Sequence, residues 1–176
     1  MKESDLNLAI SLILKEELTD MGFEVVLTRK TEAGLYDTTA RGFKKRDMQK
    51  RKSIIEEAKP TLIVSVHQNF YPTKSARGGQ VFYSKKQEGS QRLAEGIQGR
   101  LNALYAEEKV KERKITAAEY FMLECYPCQS VIVECGFLSN SREAALLSDE
   151  EYQDKVAWAI HMGIMQYINI YENVKK

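Results

Sequence analysis

The chain has 176 residues, which is enough for one domain with a hydrophobic core. Acidic and basic residues nearly cancel to a net charge of +1, so bulk charge gives no argument for nucleic-acid binding. No apolar run approaches the roughly 20 residues of a membrane span, and the first residues lack a signal-peptide pattern. The three cysteines, Cys125, Cys128 and Cys135, are an odd number and predict no paired disulfide framework.

The N-terminal part of the chain predicts two helices separated by a strand and a polar loop. Residues 1–22 are expected to form a helix with Ser4 as its N-cap. Its apolar face, at helical spacing, comprises Leu6, Ile10, Ile13, Leu14, Leu18 and Met21. FEVVLT at 23–28 predicts a strand, and residues 44–58 predict a highly charged second helix. Because an amphipathic helix normally connects two strands, we expect a preceding strand to be missing.

The stretch TLIVSVHQN, residues 61–69, predicts a buried strand that ends in polar residues. Its apolar, β-branched run is typical of a parallel strand buried on both faces, and Pro60 ends the helical pattern before it. Ligands of open α/β sheets bind at the carboxyl ends of strands, where His67 lies. On this stretch alone, two interpretations of His67 stay open: a hydrogen-bonded structural histidine and a functional one.

The second half of the chain continues the alternation of strands and helices. Three strands are expected, at residues 79–84, 120–123 and 129–134. Ser90 can cap the helix between the first two of them, and Ser148 with Glu151 predicts a capping box for the last helix. The pattern predicts a single α/β domain with a largely parallel sheet flanked by helices on both faces.

Glu134 directly follows the apolar run of the last predicted strand, as His67 follows that of the central one. A carboxylate there is costly unless something charged or protic meets it. A structural explanation is an ion pair with Arg29, Arg41 or Arg51. Taken together, the two strand-end groups fit metal-assisted hydrolysis, in which a histidine holds the ion and a carboxylate activates water.

Four segments occur in an order that resembles a known family. They are ESDLNLAI (3–10), VVLTR (25–29), SVHQN (65–69) and VECGFLSN (133–140). With a helix containing Arg51 before the histidine strand, they resemble the zinc-dependent N-acetylmuramoyl-L-alanine amidases of the Amidase_3 family. The match covers nearly the whole chain. The GLYDTTA loop and the KKRDMQKR segment after it most resemble the germination-specific, spore-cortex branch of that family.

The resemblance implies a peptidoglycan hydrolase and assigns roles to three residues. Glu3 matches the glutamate zinc ligand at the start of the first helix, and His67 matches the histidine ligand of the S-x-H-x-N strand end. Glu134 matches the catalytic glutamate, which takes a proton from zinc-activated water. The bond cut is the amide that joins the lactyl group of N-acetylmuramic acid to L-alanine. The implied location is extracellular, in the cell wall or spore envelope.

The sequence departs from the family at its first motif. The family begins with a strand ending in a D-P-G-H-G-G-like motif whose histidine is another zinc ligand, and no such motif is found here. We therefore expect residues 1–176 to be an N-terminally truncated amidase domain that lacks the first strand. Catalytic zinc usually has three protein ligands, so we expect Zn²⁺ to be absent or weakly bound and activity to be impaired. The other histidine, His161, is interpreted as structural because it lies within the last predicted helix, and no family pattern makes Cys135 a ligand.

Expectations about partners follow from the same resemblance. Peptidoglycan is the implied substrate, an uncovered sheet edge predicts a homodimer, and an accessory protein is a further expected partner.

Alternative functions from other classes are a non-catalytic cell-wall or partner-binding domain on the amidase scaffold, and a nucleotide binder. The second needs a glycine-rich phosphate loop that the sequence lacks. A structural zinc site at Cys125 and Cys128 is disfavoured because a second C-x-x-C pair is absent. A redox role is disfavoured because the pair lies between two predicted strands and does not open a helix.

Overall fold

A computed structural model describes residues 2–31 and 43–174 of the chain. The helices of this part are α1 (Glu3–Asp20), α2 (Phe43–Ala58), α3 (Ser90–Glu107), α4 (Phe121–Glu124), α5 (Ser141–Leu147) and α6 (Glu150–Val174). Its strands are β1 (Leu62–Asn69), β2 (Gln80–Tyr83), β3 (Thr116–Ala117) and β4 (Gln129–Phe137). The GLYDTTA loop and Arg41 lie outside the described residues.

The strands form one sheet in the order β1-β4-β2-β3. β1 and β4 pair in parallel, as do β2 and β3, whereas β2 runs antiparallel to β4. The two longest strands lie side by side because both are nearly continuous apolar runs, which suit burial on both faces. The prediction of a single α/β domain with a largely parallel sheet is confirmed.

Helices cover both faces of this sheet, as predicted. On one face, side chains of α1, α3 and α6 pack against alternate strand residues such as Val66, Val131 and Val133 in the main core. On the other face, a smaller cluster joins Ile55 of α2 to Ile63 and Cys128. Successive strand residues point to opposite faces, which is why Ile63 and Val66 belong to different clusters.

Two predicted strands are not found. Residues 23–28 keep the alternation of half-buried and exposed side chains that suggested a strand, but they form no ladder within the described part of the chain. A strand needs a hydrogen-bonded neighbour, and no described strand pairs with this segment. Residues 120–123 were expected to be extended, whereas Phe121 begins the short helix α4 and the strand of this region is β3.

Helix ends differ from the sequence-based expectation at two places. α1 begins at Glu3, so the expected N-cap Ser4 lies within its first turn, and the actual N-cap position, Lys2, makes no side-chain cap. The last helix is capped by Asp149, whose carboxylate accepts from the Tyr152 amide at 3.0 Å, and Ser148 instead closes α5. No described helix is long and apolar enough to cross a membrane.

Candidate active site

His67 and Glu134 are direct neighbours across the β1–β4 ladder. Their Cα atoms are partners in the parallel register, so both side chains leave the same face of the sheet. This face is the one covered by α2 rather than by α1, α3 and α6, since His67 shares its side of β1 with Ile63. The two groups that sequence singled out separately are therefore brought together.

Glu3 reaches the same place from the N-terminus of α1. Its Oε1 atom lies 3.3 Å from Nδ1 of His67 and accepts from the backbone amide of Gln68 at 3.4 Å. The hydrogen bond with His67 is the main reason that the pKa of Glu3 lies below its usual value. Asn7, one turn further along α1, donates to Glu3 and accepts from the Gln68 side chain, which orients the helix end on the strand.

Among the described residues, Glu134 forms no ion pair with an arginine. Its Oε2 atom is buried and has no hydrogen-bond partner in residues 2–31 and 43–174, and burial raises the pKa of the carboxyl group. The nearby His67 opposes that shift and Glu3 adds to it. Arg51 instead pairs with Asp47 at 2.6 Å, and Arg29 donates to backbone carbonyls. Pairing with either arginine, one of the interpretations left open by the sequence, is thus wrong.

A β-bulge follows Glu134 directly. The register passes from His67 opposite Glu134 to Asn69 opposite Phe137, so two residues of β4 face one residue of β1. Bulges of this kind re-aim neighbouring side chains and are frequent beside active sites. One of the two bulge residues is Gly136, where a Cβ atom would collide with the Tyr105 hydroxyl. Only glycine fits this close approach.

Sequence reasoning missed two polar residues of this face. Gln80 is the register partner of Glu134 on the antiparallel strand β2, and its amide donates to Thr116 and the Lys114 carbonyl. Arg113 lies beside Gln80 and places its guanidinium 4.8 Å from the ring centroid of Phe137. Gln80 was visible as a polar residue opening a predicted strand, but the antiparallel register was not. Nothing in the sequence pattern indicated Arg113.

The donors fit part of a zinc site. A carboxylate oxygen and an imidazole nitrogen bound to one tetrahedral zinc at 2.0–2.1 Å would be about 3.3 Å apart, which is the separation of Glu3 and His67. The buried, unpartnered oxygen of Glu134 faces the same region and suits a group that handles a proton. The described residues contain no cluster of three or more such donors. Glu3 and His67 are thus two donors at a spacing that suits zinc, where catalytic zinc usually has three protein ligands.

The remaining titratable candidates lie elsewhere. His161 is buried between α1 and α6, stacked on Trp158 and 3.5 Å from a carboxylate oxygen of Glu17, in accord with its interpretation as a structural residue. Burial raises the pKa of the Cys128 thiol to about 11 and that of Cys135 to about 12, so neither is a thiolate at neutral pH. Both are free cysteines.

Comparison with known proteins agrees with the motifs. A model of the family described as N-acetylmuramoyl-L-alanine amidase matches residues 1–166. The germination-specific N-acetylmuramoyl-L-alanine amidase of Bacillus subtilis is 30% identical over 168 residues, which are 94% of this chain and 70% of that protein. The amidase LytC of the same organism is 29% identical, and the match covers 94% of this chain but only 31% of LytC.

Solved structures agree as well. The CwlD amidase of Clostridioides difficile, solved in complex with the GerS lipoprotein, superposes with a TM-score of 0.89 at 35% identity, covering 97% of this chain and 88% of that one. The catalytic domain of CwlV from Paenibacillus polymyxa gives 0.78 at 27% identity, covering 95% and 85%. The resemblance inferred from the motifs is confirmed. This chain belongs to the N-acetylmuramoyl-L-alanine amidase family.

Proposed function

We propose that the chain carries out the amidase reaction at the cluster of Glu3, His67 and Glu134, with Glu134 as the general base. The observation that carries this proposal is the buried, unpartnered oxygen of Glu134 beside the Glu3–His67 pair. Among the acidic residues of the described part of the chain, only Glu134 lies next to that pair and also has a buried carboxylate oxygen without a hydrogen-bond partner. The substrate is the amide between N-acetylmuramic acid and L-alanine.

The residues perform three tasks in this proposal. Glu3 and His67 would hold zinc, which when bound polarises the amide carbonyl and lowers the pKa of water at the site. Glu134 accepts a proton from the attacking water and returns it to the nitrogen of the leaving alanine. Burial raises the pKa of Glu134, which makes its carboxylate a stronger base.

The general base is tested with Glu134→Gln, which keeps the size of the side chain and removes the basic oxygen. We expect release of L-alanyl peptides from purified peptidoglycan, at saturating zinc, to fall by about two orders of magnitude or more. Unfolding midpoints should stay close to wild type. Glu16→Gln, an exposed change on α1, is the matched control and should leave the rate unchanged. Wild-type turnover by the Glu134→Gln variant would remove this residue from the mechanism. Peptidoglycan binding without any wild-type hydrolysis would favour a binding domain instead.

We also propose that zinc is held weakly, because the described residues supply only two donors to it. Affinity depends on the number and geometry of the ligands. Equilibrium dialysis should give a dissociation constant well above that of a three-ligand site, and His67→Ala should abolish binding. His161→Gln, which changes the histidine outside the cluster, should leave zinc affinity unaltered. One zinc per chain that survives mild chelation would contradict this proposal.

Location and partner follow from the relatives. We propose that the enzyme acts outside the cytoplasm, in the cell wall or spore envelope where its substrate is found, and that an accessory protein assists it. The support is the similarity to a germination-specific amidase and to an amidase whose structure was solved in complex with a lipoprotein. Co-purification of a cell-surface protein with the tagged chain from intact cells, and its absence with a Glu3→Ala/His67→Ala control, would separate a site-linked partner from a fortuitous one.

A further inference from the structure

A cationic cleft lies between the segment that precedes β2 and the connection from α3 to β3. It has a volume of about 400 Å³, and its charged lining residues are Arg77, Lys109, Lys111, Glu112 and Arg113. Four positive charges thus surround one negative charge. Arg77 is already matched by the buried carboxylate of Glu143 at 3.8 Å. In the part of the chain that the structure describes, Lys109, Lys111 and Arg113 form no salt bridge.

Arg113 connects this cleft to the catalytic face of the sheet. Its Nη1 atom lies 3.5 Å from Oε1 of Gln80, the register partner of Glu134. Its guanidinium also stacks on Phe137, the register partner of Asn69, which lies on the His67 side of β1. The positive group therefore stands next to the row formed by His67, Glu134 and Gln80.

The orientation of Arg113 is determined before any ligand arrives. Its Nε atom donates to the carbonyl of Arg77 at 2.6 Å, and its backbone amide donates to Asn102 at 3.1 Å. Asn102 in turn donates to the carbonyl of Arg113 at 2.9 Å. The Nη2 atom has none of these hydrogen bonds. A guanidinium held in this way is well suited to a carboxylate, because little side-chain entropy is lost on binding.

Lys109 adds a second indication. It ends α3 in the left-handed region, with φ of 57°, where glycine is favoured and a larger residue costs stability. Lys109 is exposed and is one of the residues that line the cleft. The conformation alone is not decisive, because Lys59 at the end of α2 has a φ of 48° and is not among the residues that line the cleft. Only Lys109 combines the unfavourable backbone with a position in the positive cluster.

We propose that this cleft is the subsite for a carboxylate of the stem peptide, the part of the substrate released with L-alanine at its N-terminus. Arg113 is the positioned partner of the carboxylate, and Lys109 and Lys111 add attraction at the rim. The proposal rests on the proposed amidase function and adds a direction to it: the leaving peptide extends from Glu134 past Gln80 toward the α3–β3 connection. The enzyme accordingly prefers stem peptides with free carboxylates over amidated ones.

The test compares two probes, N-acetylmuramoyl-L-alanyl-D-glutamate and its bis-carboxamide, by calorimetric titration in the Glu134→Gln background, so that the probes are not consumed. The dicarboxylate should bind at least about fivefold more tightly. Lys109→Gly should weaken dicarboxylate binding about two- to fivefold, as expected of an exposed charge, and leave the carboxamide unaffected. Arg113→Gln should remove the preference between the probes.

Lys59→Gly is the matched control, since it relieves the same backbone conformation at a different helix end. Both glycine variants should raise the thermal midpoint by about 2–4 °C, but only Lys109→Gly should weaken the dicarboxylate. Equal affinity for the two probes, no binding of either at millimolar concentration, or equal losses in both glycine variants would overturn the subsite. If the preference is found but the wild-type chain hydrolyses neither probe, the subsite stands and the proposed catalytic function fails.

Discussion

Glu143 is a buried carboxylate that holds two backbone segments beside the candidate site. One of its oxygens accepts from the amide of Gly78 at 2.6 Å, just before β2, and the other accepts from the amide of Phe137 at 2.8 Å, at the end of the bulge. The Tyr105 hydroxyl donates to the carbonyl of Cys135 in the same bulge. Burial raises the pKa of Glu143, and the two amide hydrogen bonds oppose that shift. The backbone that follows Glu134 is therefore fixed by two side chains from neighbouring helices.

The first prediction concerns this double acceptor. In Glu143→Gln one amide nitrogen would face a backbone N–H group, so one buried donor loses its partner. The free energy of unfolding should fall by about 1–3 kcal/mol, measured by urea denaturation. Glu88→Gln, an exposed change of the same chemistry, should shift it by less than about 0.5 kcal/mol. Equal stability of the Glu143→Gln variant and wild type would show that the two hydrogen bonds contribute nothing.

At the scale of elements, the contact between α3 and α6 depends on two glycines. A Cβ atom on Gly163 would lie 2.5 Å from the Cα atom of Ile97, and one on Gly96 would lie 2.8 Å from the carbonyl of Gly163. The helix backbones approach closely there, and Ile97 and Ile160 are completely buried in the main core around the crossing. The two helices pack together against one face of β4, and this packing holds the strand that carries Glu134 in place.

The second prediction is that Gly163→Ala destabilises the protein although alanine favours helices. The added methyl group must move α6 away from α3, and overpacking of this kind costs about 1–3 kcal/mol, more than the roughly 1 kcal/mol gained in helix propensity. Gly99→Ala on α3 is the control, because nothing lies within 4 Å of its Cβ position. That variant should be equally or more stable than wild type in thermal unfolding. A stabilised Gly163→Ala variant would refute the close approach.

At the scale of the whole molecule, β1 has one strand neighbour among the described residues, namely β4. An unpaired strand edge can recruit another chain unless something covers it. Leu62 and Val64 are only partly buried along this strand, although both pack against the main core. The edge next to His67 is therefore the place where association is expected.

The third prediction is that the chain forms a homodimer through this edge. Sedimentation velocity over a hundredfold range of concentration should show a monomer–dimer equilibrium. Hydrogen exchange of β1 amides should slow as the dimer fraction rises, while amides of the exposed end of α3 should exchange at a constant rate. A monomer at every concentration would remove the homodimer from the expected partners.

Agreement between sequence and structure is best where the signal is local. The apolar runs of β1 and β4, and the periodic helices α1, α2, α3 and α6, are found within a few residues of the expected positions. The misses are elements whose stability comes from distant partners. β3 has only two residues and exists through its pairing with β2. Residues 23–28 have strand periodicity but no described neighbour.

The sequence by itself determined the family, the fold class and the three site candidates, because each motif is a short contiguous segment. Only the tertiary structure decided that His67 and Glu134 share one face in direct register, and that Glu3 reaches them. It also excluded pairing of Glu134 with Arg29 or Arg51, and placed Arg113 beside the site. These facts depend on strand register, a bulge and loop packing between residues tens of positions apart, which no local pattern specifies.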